Sequence, residues 1–203
     1  MIIVGVSGAS GSGKSLLSNT IKNDLGSDKI MVLSEDRYYK CNLSKTKAER
    51  DQINFDHPDS IDHTLLKEHL RSLKSRINIA APTYDYVSHT RDPSSTLNID
   101  SSLSILVLEG ILIFTDPELR KLMDIKIFMD TPLDTSLTRR LRRDINERGR
   151  TLDSVLDQYE KTVRPMFLEY IQPSKQHADL VVPHGGKNNI AIDLIKAKLS
   201  ELL

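Results

Sequence analysis

Cysteine is nearly absent from the sequence, which contains one, Cys41, among 203 residues. A single cysteine excludes an internal disulfide framework and a zinc site built from several cysteines. Such scarcity is typical of proteins from a reducing compartment, and we predict a cytoplasmic protein.

Long apolar stretches are also absent. The longest candidate, residues 104–114, is interrupted by Glu109 and falls short of the ~18 apolar residues that a transmembrane helix needs. Residues 1–6 carry no basic segment and are too short for the apolar region of a signal peptide. We therefore expect neither membrane insertion nor secretion.

Charge of one sign is not in excess, because 28 Lys and Arg residues balance 28 Asp and Glu residues. Duplex-DNA-binding domains usually carry a basic surplus, so we predict no nucleic-acid partner. Any affinity for phosphate must arise from a local arrangement of residues. The length allows one domain with its own core, and the sequence contains no repeat or linker, which predicts a single domain over residues 1–203.

Five short runs rich in β-branched residues predict the strands of a sheet. They are continuously apolar rather than alternating, which is typical of strands buried on both faces of a parallel sheet. Helical patterns separate most of them, so we predict a doubly wound α/β fold with five parallel strands. The runs are residues 2–7, 30–34, 105–108, 125–129 and 180–182.

Three helical patterns have apolar residues on one face. Ser60 is expected to cap the first, Thr131 begins a capping-box-like start to the second, and the third begins at Ile190. The apolar positions are Leu66, Leu70 and Leu73 in the first, Leu133, Leu137, Leu141 and Ile145 in the second, and Leu194, Ile195, Leu199 and Leu202 in the third.

Residues 77–99 interrupt the alternation of strands and helices. Residues 77–79 and 96–99 look like short strands, and they flank two polar, aromatic segments at 82–86 and 89–93. We predict a β-hairpin excursion that leaves the main sheet.

A phosphate-binding motif follows the first predicted strand. Its pattern is G-x-x-x-x-G-K-[ST], whose glycines let backbone N–H groups surround phosphates at the start of a helix. In such a motif Lys14 reaches the β- and γ-phosphates of a nucleoside triphosphate, and the Ser15 hydroxyl binds Mg²⁺. The alternative is a Gly/Ser turn that binds nothing, but the strand before and the helix after favour a P-loop NTPase-type fold. The motif consists of Gly8, Ala9, Ser10, Gly11, Ser12, Gly13, Lys14 and Ser15.

Two carboxylates end neighbouring strands of the predicted sheet. Asp36 follows the second strand and Glu109 ends the third. Ligands of open α/β sheets bind beyond the carboxyl ends of the strands, so both side chains could face one Mg²⁺–phosphate group, together with Ser15. One carboxylate could accept a hydroxyl proton while the other orients the metal's water. Helix caps or solvated acids are the alternative for either residue alone.

A run of arginines follows Thr131. The guanidinium group of arginine can donate two parallel hydrogen bonds to phosphate oxygens. A lid that carries arginines can also exclude water from phosphoryl transfer. We predict a helical lid at about residues 133–170, against the alternative of a solvated basic face with internal ion pairs to Asp144 and Glu147. The arginines are Arg139, Arg140, Arg142, Arg143, Arg148 and Arg150.

Four further segments carry a resemblance that extends nearly from end to end. They are residues 54–59 (Asn-Phe-Asp-His-Pro-Asp), 84–91 (Tyr-Asp-Tyr-Val-Ser-His-Thr-Arg), 108–111 (Leu-Glu-Gly-Ile) and 143–150 (Arg-Asp-Ile-Asn-Glu-Arg-Gly-Arg). With the phosphate-binding motif they resemble the uridine–cytidine kinase family, whose relatives include phosphoribulokinases and bacterial pantothenate kinases.

The resemblance implies transfer of the γ-phosphate of ATP or GTP, with Mg²⁺, to the 5′-hydroxyl of uridine or cytidine. Asp36 matches the catalytic base and Asp56 the carboxylate that holds the ribose hydroxyls. It also implies a homo-oligomer, a tetramer, and feedback inhibition by UTP or CTP. The other matched positions are Tyr84 and His89 for the nucleobase, Arg140, Arg150 and Gln158 for the nucleoside, Arg143 and Arg148 for the phosphates, and Lys187 for the ATP base.

Several alternatives stay open at this point. Another kinase on this scaffold could act on pantothenate, a different nucleoside or a sugar phosphate. A GTPase would share the phosphate-binding motif, but the sequence has no N-K-x-D element. A nucleotide sensor without catalysis is disfavoured by the intact Lys14, Ser15, Asp36 and Glu109. The sequence departs from the family pattern at three positions. His184 could alter the preference for ATP or GTP as phosphate donor, and Glu35 and Arg37 could alter the pKa of the catalytic base Asp36.

Overall fold

The computed structural model describes residues 1–26 and 28–203, and seven strands lie in this part of the chain. They are β1 (Ile2–Gly8), β2 (Ile30–Ser34), β3 (Ile79–Asp85), β4 (Thr90–Ile99), β5 (Ile105–Glu109), β6 (Ile125–Asp130) and β7 (Leu180–Pro183). Five of them form a parallel sheet in the order β2-β5-β1-β6-β7, and β3 pairs with β4 as a separate antiparallel hairpin. The predicted α/β fold with a five-stranded parallel sheet is confirmed.

The helices cover both faces of the sheet and its carboxyl end. They are α1 (Lys14–Leu25), α2 (Lys47–Asp51), α3 (His63–Lys74), α4 (Pro117–Arg120), α5 (Leu133–Asn146), α6 (Leu152–Gln158), α7 (Arg164–Met166), α8 (Gln172–Ser174) and α9 (Asn189–Ser200). Wide π-helical turns at Tyr159–Val163 and Phe167–Ile171 join α6, α7 and α8. Tighter 3₁₀ turns lie at Glu35–Tyr38, Pro58–Ser60 and Lys175–His177. Within the described ranges, no helix combines the length and apolar character needed to cross a bilayer.

The core consists of two apolar layers, one on each face of the sheet. Alternate residues of β1 divide between them: Ile3 packs in the layer with α3, while Val4 and Val6 pack in the layer with α1 and α9. Both sides of this central strand are therefore buried, which explains why its sequence is continuously apolar.

Three helix details differ from the sequence-based expectations. Asp62, not Ser60, caps α3, because its side chain accepts a hydrogen bond from the backbone N–H of Leu65. Thr131 does not cap α5, since its hydroxyl donates to the carbonyl oxygen of Ser12. Leu194 is 67% exposed on α9, whose inner face consists of Ile192, Ile195 and Leu199.

Helix α5 buries a polar face instead of its leucines. Its buried residues are Ser136, Arg140 and Asp144, whereas Leu137 is only half-buried and Ile145 is exposed. This face lies against the loop between β1 and α1, so the arginines and the phosphate-binding motif meet.

The hairpin of β3 and β4 is longer than its sequence pattern predicts, and Ile77 lies before it. Arg91 of β4 fixes the hairpin to the main body. Its guanidinium donates to the carbonyl oxygens of Tyr38 and Tyr39 and pairs with Asp62 at 3.1 Å. The hairpin tip is thereby held beside the end of β2.

Candidate active site

The loop between β1 and α1 forms a cradle at the carboxyl end of the sheet. Gly11 and Gly13 have φ angles of 83° and 99°, which side-chain-bearing residues rarely adopt. A Cβ atom at Gly11 would collide with the carbonyl of Ser136, and one at Gly13 with the backbone of Gly186. The loop is thus confined between α5 and the segment after β7, with its N–H groups at the start of α1.

Lys14 lies within this cradle. Its Nζ atom donates to the carbonyl oxygens of Gly8 and Ala9, both at 2.9 Å. Burial lowers the pKa of the ammonium group to about 8, against the opposing effects of the Glu109 and Asp36 carboxylates. An anionic ligand would supply further counter-charge for this group.

Ser15 and Glu109 face each other across the cradle. The Ser15 hydroxyl donates to Oε1 of Glu109 at 2.9 Å, while Oε2 is buried without a hydrogen-bond partner. Burial raises the pKa of Glu109, and Lys14 and the Ser15 hydroxyl oppose that rise. Oε2 is therefore an oxygen with unused capacity to accept a ligand.

Asp36 lies where β2 turns into a 3₁₀ helix, and its N–H donates to Oγ of Ser34. Its carboxylate oxygen Oδ2 accepts a 3.2 Å hydrogen bond from the hydroxyl of Tyr86 in the hairpin. Asp36 and Glu109 line one cavity of about 270 Å³ together with Lys14, Ser15 and Arg143.

The carboxylate and hydroxyl oxygens around this cavity are ligand types that Mg²⁺ prefers. Within the described ranges, no group of three or more His, Cys, Asp or Glu residues could enclose a metal ion. Mg²⁺ usually takes one or two carboxylates and completes its shell with water and substrate phosphates. The unpartnered Oε2 of Glu109, the Ser15 hydroxyl and Asp36 fit that pattern.

One buried carboxylate gathers the arginines of the α5 region. Asp144 is fully buried, and the nearest guanidinium nitrogens lie between 2.9 and 3.8 Å from its oxygens. The φ of 64° at Gly149 lets the chain turn after α5, so that residues beyond the helix reach back to this carboxylate. The four arginines on it are Arg140, Arg143, Arg148 and Arg150.

Arg140 joins two groups of predicted ligand residues. It donates to Oγ of Ser10 in the cradle at 3.0 Å and to Oε1 of Gln158 at 2.9 Å. Arg150 also donates to Oε1 of Gln158. Asp56 is buried nearby; burial raises its pKa, while Arg140 and a hydrogen bond from Thr162 oppose that rise.

Aromatic rings connect the hairpin with the segment around Asp56. Phe55 stacks on His89 with ring centroids 5.0 Å apart, and it meets Tyr84 edge-on at 6.4 Å. Burial lowers the pKa of His89, which favours its neutral form. The hydroxyl of Tyr84 is buried without a hydrogen-bond partner, so it is free to bond a polar ligand.

Several predicted contacts do not line the 270 Å³ cavity. They are the six predicted for the nucleoside, Asp56, Tyr84, His89, Arg140, Arg150 and Gln158, and two predicted for the nucleotide, Arg148 and Lys187. Lys187 is exposed in the segment after β7, next to Gly186, which packs on Gly13. Arg148 places its guanidinium carbon 5.1 Å from the centre of the Tyr86 ring rather than in the cavity wall.

The structure adds residues that the sequence reading did not assign to the site. Asp144 organises the arginines, Tyr86 contacts Asp36, and Phe55 stacks on His89. Arg139 lines the cavity and donates to the carbonyl of Ser12. The sequence did signal two of these residues, since Arg139 belongs to the predicted arginine run and Asp144 was the alternative ion-pair partner within it. The contacts of Tyr86 and Phe55 join distant segments and had no such signal.

The sequence and the fold are similar to those of known proteins. Residues 3–191 match the model of the phosphoribulokinase/uridine kinase family. The chain is 54% identical over 206 residues to a uridine kinase of Aliivibrio fischeri, covering 100% of this chain and 95% of that one. It is 55% identical over 204 residues to a uridine kinase of Pectobacterium atrosepticum, covering 98% and 95%. The fold is similar to that of phosphoribulokinase from Rhodobacter spheroides, with a TM-score of 0.67, 18% identity, and coverage of 90% of this chain and 69% of that one.

Proposed function

The chain belongs to the phosphoribulokinase/uridine kinase family, and on that premise we propose that it is a nucleoside kinase. It transfers the γ-phosphate of ATP or GTP to the 5′-hydroxyl of uridine or cytidine, giving UMP or CMP. The observation that carries the proposal is the meeting of Lys14, Ser15, Asp36 and Glu109 around one cavity beside the hairpin.

The transfer is a direct in-line displacement. Asp36 accepts the proton of the 5′-hydroxyl as its oxygen bonds to the γ-phosphorus, and the bond to the β-phosphate oxygen breaks to release the nucleoside diphosphate. Lys14 and Arg143 line the cavity and offset the negative charge of the transferring group. The backbone N–H groups of the cradle hold the remaining phosphates.

The predicted Mg²⁺ would be held by Ser15 with Glu109 and Asp36 at the end of the sheet. When bound, it would neutralise negative charge on the phosphates. The unpartnered carboxylate oxygen of Glu109 supports this assignment.

The nucleoside is proposed to lie between the hairpin and α6. Asp56 accepts from the ribose hydroxyls, and Tyr84 and His89 contact the base from the hairpin. Arg140, Arg150 and Gln158 close the opposite side. The unpartnered Tyr84 hydroxyl and the shared contacts of Gln158 support this pocket.

The remaining parts of the proposal concern organisation. The chain acts as a single domain, residues 77–99 serve as the nucleoside-binding insert, and residues 133–170 close over the phosphates as a lid. Arg148 contributes to the phosphates from this lid, and Lys187 contacts the ATP base. We also propose a cytoplasmic homo-oligomer, a tetramer, which takes small-molecule partners rather than nucleic acid or membrane.

The test is nucleoside diphosphate release by the purified protein with Mg-ATP and separate acceptors. Uridine, cytidine, adenosine, thymidine and pantothenate are compared, with Lys14→Ala as the matched inactive control. Turnover confined to uridine and cytidine is expected. Turnover only with another acceptor would overturn the nucleoside pocket, and no turnover despite nucleotide binding would contradict the kinase function.

A further inference from the structure

Tyr86 lies just beyond the end of β3, at the tip of the hairpin, and contacts the residue proposed as the catalytic base. Its hydroxyl donates to Oδ2 of Asp36 at 3.2 Å. Within residues 1–26 and 28–203, this is the one side-chain hydrogen bond that the Asp36 carboxylate makes. The backbone of Asp36 is fixed separately by Ser34, so rotation of the carboxylate itself depends on Tyr86.

The ring of Tyr86 is held on two sides. Tyr84 meets it edge-on, with centroids 5.5 Å apart and an interplanar angle of 79°. The Arg148 guanidinium carbon lies 5.1 Å from the ring centre, a distance at which a cation is attracted to an aromatic face. The phenol thus has a defined position, although 45% of the residue is exposed.

A carboxylate has two oxygens, each able to accept hydrogen bonds. When Tyr86 occupies Oδ2, the orientation of the group is defined and Oδ1 stays available to an incoming hydroxyl. Arg148 belongs to the arginine cluster on Asp144, so the hairpin, the arginine cluster and Asp36 meet at this one ring.

We propose that Tyr86 is a positioning residue for phosphoryl transfer, which orients the Asp36 carboxylate toward the acceptor hydroxyl. The proposal rests on the proposed function of Asp36 as the base. Tyr86 acts through Asp36 and contributes to the rate of the chemical step rather than to nucleoside affinity.

The experiment compares Tyr86→Phe, Asp36→Asn, the double variant and wild type, with uridine and Mg-ATP. Tyr86→Phe keeps the ring and its contacts with Tyr84 and Arg148 but removes the donor. We expect kcat to fall about 10- to 100-fold, since displacement of a catalytic group by ~1 Å can cost about 10²-fold. The KM for uridine is expected to stay within about twofold, because no nucleoside contact is removed.

The double variant separates positioning from a structural effect. If Tyr86 acts through Asp36, adding Tyr86→Phe to Asp36→Asn causes no further loss of kcat. Glu118→Gln is the control, since Glu118 is exposed on α4, pairs with Lys121 and does not line the cavity. An unchanged kcat in Tyr86→Phe, a rise in KM alone, or the same fold loss in both backgrounds would overturn the proposal.

A measurement without any acceptor distinguishes this proposal from the proposed function. In protein labelled with 3-fluorotyrosine, loss of a fluorine resonance in Tyr86→Phe assigns that residue. Its resonance is expected to shift in Asp36→Asn and to stay in place in Glu118→Gln. An unshifted resonance would contradict the contact with Asp36, whereas absence of uridine turnover by wild type would contradict the proposed function.

Discussion

The hydroxyl of Ser15, in the first turn of α1, donates a 2.9 Å hydrogen bond to Oε1 of Glu109, the last residue of β5. This bond joins the phosphate-binding loop to the neighbouring strand end and leaves the second carboxylate oxygen of Glu109 buried and unpartnered. A hydroxyl and a carboxylate oxygen are ligand types that Mg²⁺ accepts, and this pair carries the proposed metal assignment.

Glu109→Gln tests that arrangement. The amide keeps the shape and can still accept from Ser15, but it removes the charge that would attract Mg²⁺. We expect the Mg²⁺ concentration for half-maximal turnover to rise at least about tenfold. Such a change corresponds to the binding free energy lost when one charged contact is removed. Glu118→Gln, an exposed change on α4, is the control. An unchanged Mg²⁺ dependence would remove Glu109 from the metal site.

Lys14 predicts a pH dependence of nucleotide binding. Its pKa is about 8 in the free protein, and phosphate groups favour the charged form and raise that pKa. Between pH 8 and the ordinary lysine pKa of about 10.4, the free protein carries a partly neutral Lys14, so binding takes up a proton.

The affinity for Mg-ADP is therefore expected to fall as pH rises above about 8. Calorimetry in buffers of different ionisation enthalpy measures proton uptake, which should be present near pH ~9 and absent for Lys14→Arg, since arginine stays charged. Uptake of the same size in Lys14→Arg would assign the effect to another group.

Asp144→Asn is expected to destabilise the fold. The change leaves four guanidinium groups around a neutral amide in a buried position. Removal of one partner from a buried ion pair typically costs about 3–5 kcal/mol, and we expect a loss on that scale from denaturant unfolding. Asp157→Asn, which breaks an exposed pair with Lys161, should cost less than about 1 kcal/mol. Equal losses in both variants would contradict the role of Asp144.

Asp56→Asn tests the ribose contact. The side chain is buried beside Arg140 and Thr162, so the amide of the same shape preserves the packing. It weakens the hydrogen bonds that the carboxylate would accept from two ribose hydroxyls. We expect the KM for uridine to rise about tenfold or more with little change in the KM for ATP. Equal increases in both constants would point to a general effect on the fold.

The sheet and the phosphate cradle could be predicted because their signals are local. Strands buried on both faces are continuously apolar, as in β1 and β5, and the cradle is one contiguous motif that places Lys14 and Ser15. Burial was harder to predict on α5, because the helix buries Arg140 and Asp144 against the loop instead of its leucines. Amphipathic spacing indicates an apolar face but cannot reveal a buried ion cluster.

Contacts between distant segments could not be read from the sequence. Tyr86 and Asp36 are 50 residues apart, and their bond depends on how Arg91 fixes the hairpin to the main body. The return of Arg148 and Arg150 to Asp144 depends on the left-handed conformation of Gly149. The family resemblance named the arginines as ligand residues but not the carboxylate that gathers them.

The most direct test of the account is formation of UMP from uridine and Mg-ATP by wild type and Asp36→Asn, with nucleotide affinity measured in parallel. Wild type is expected to form UMP and ADP in equal amounts. Asp36→Asn should still bind nucleotide through Lys14 and the cradle but turn over about 10²- to 10⁴-fold more slowly, the usual contribution of a general base. Turnover by Asp36→Asn near that of wild type would contradict the assignment of Asp36 as the base.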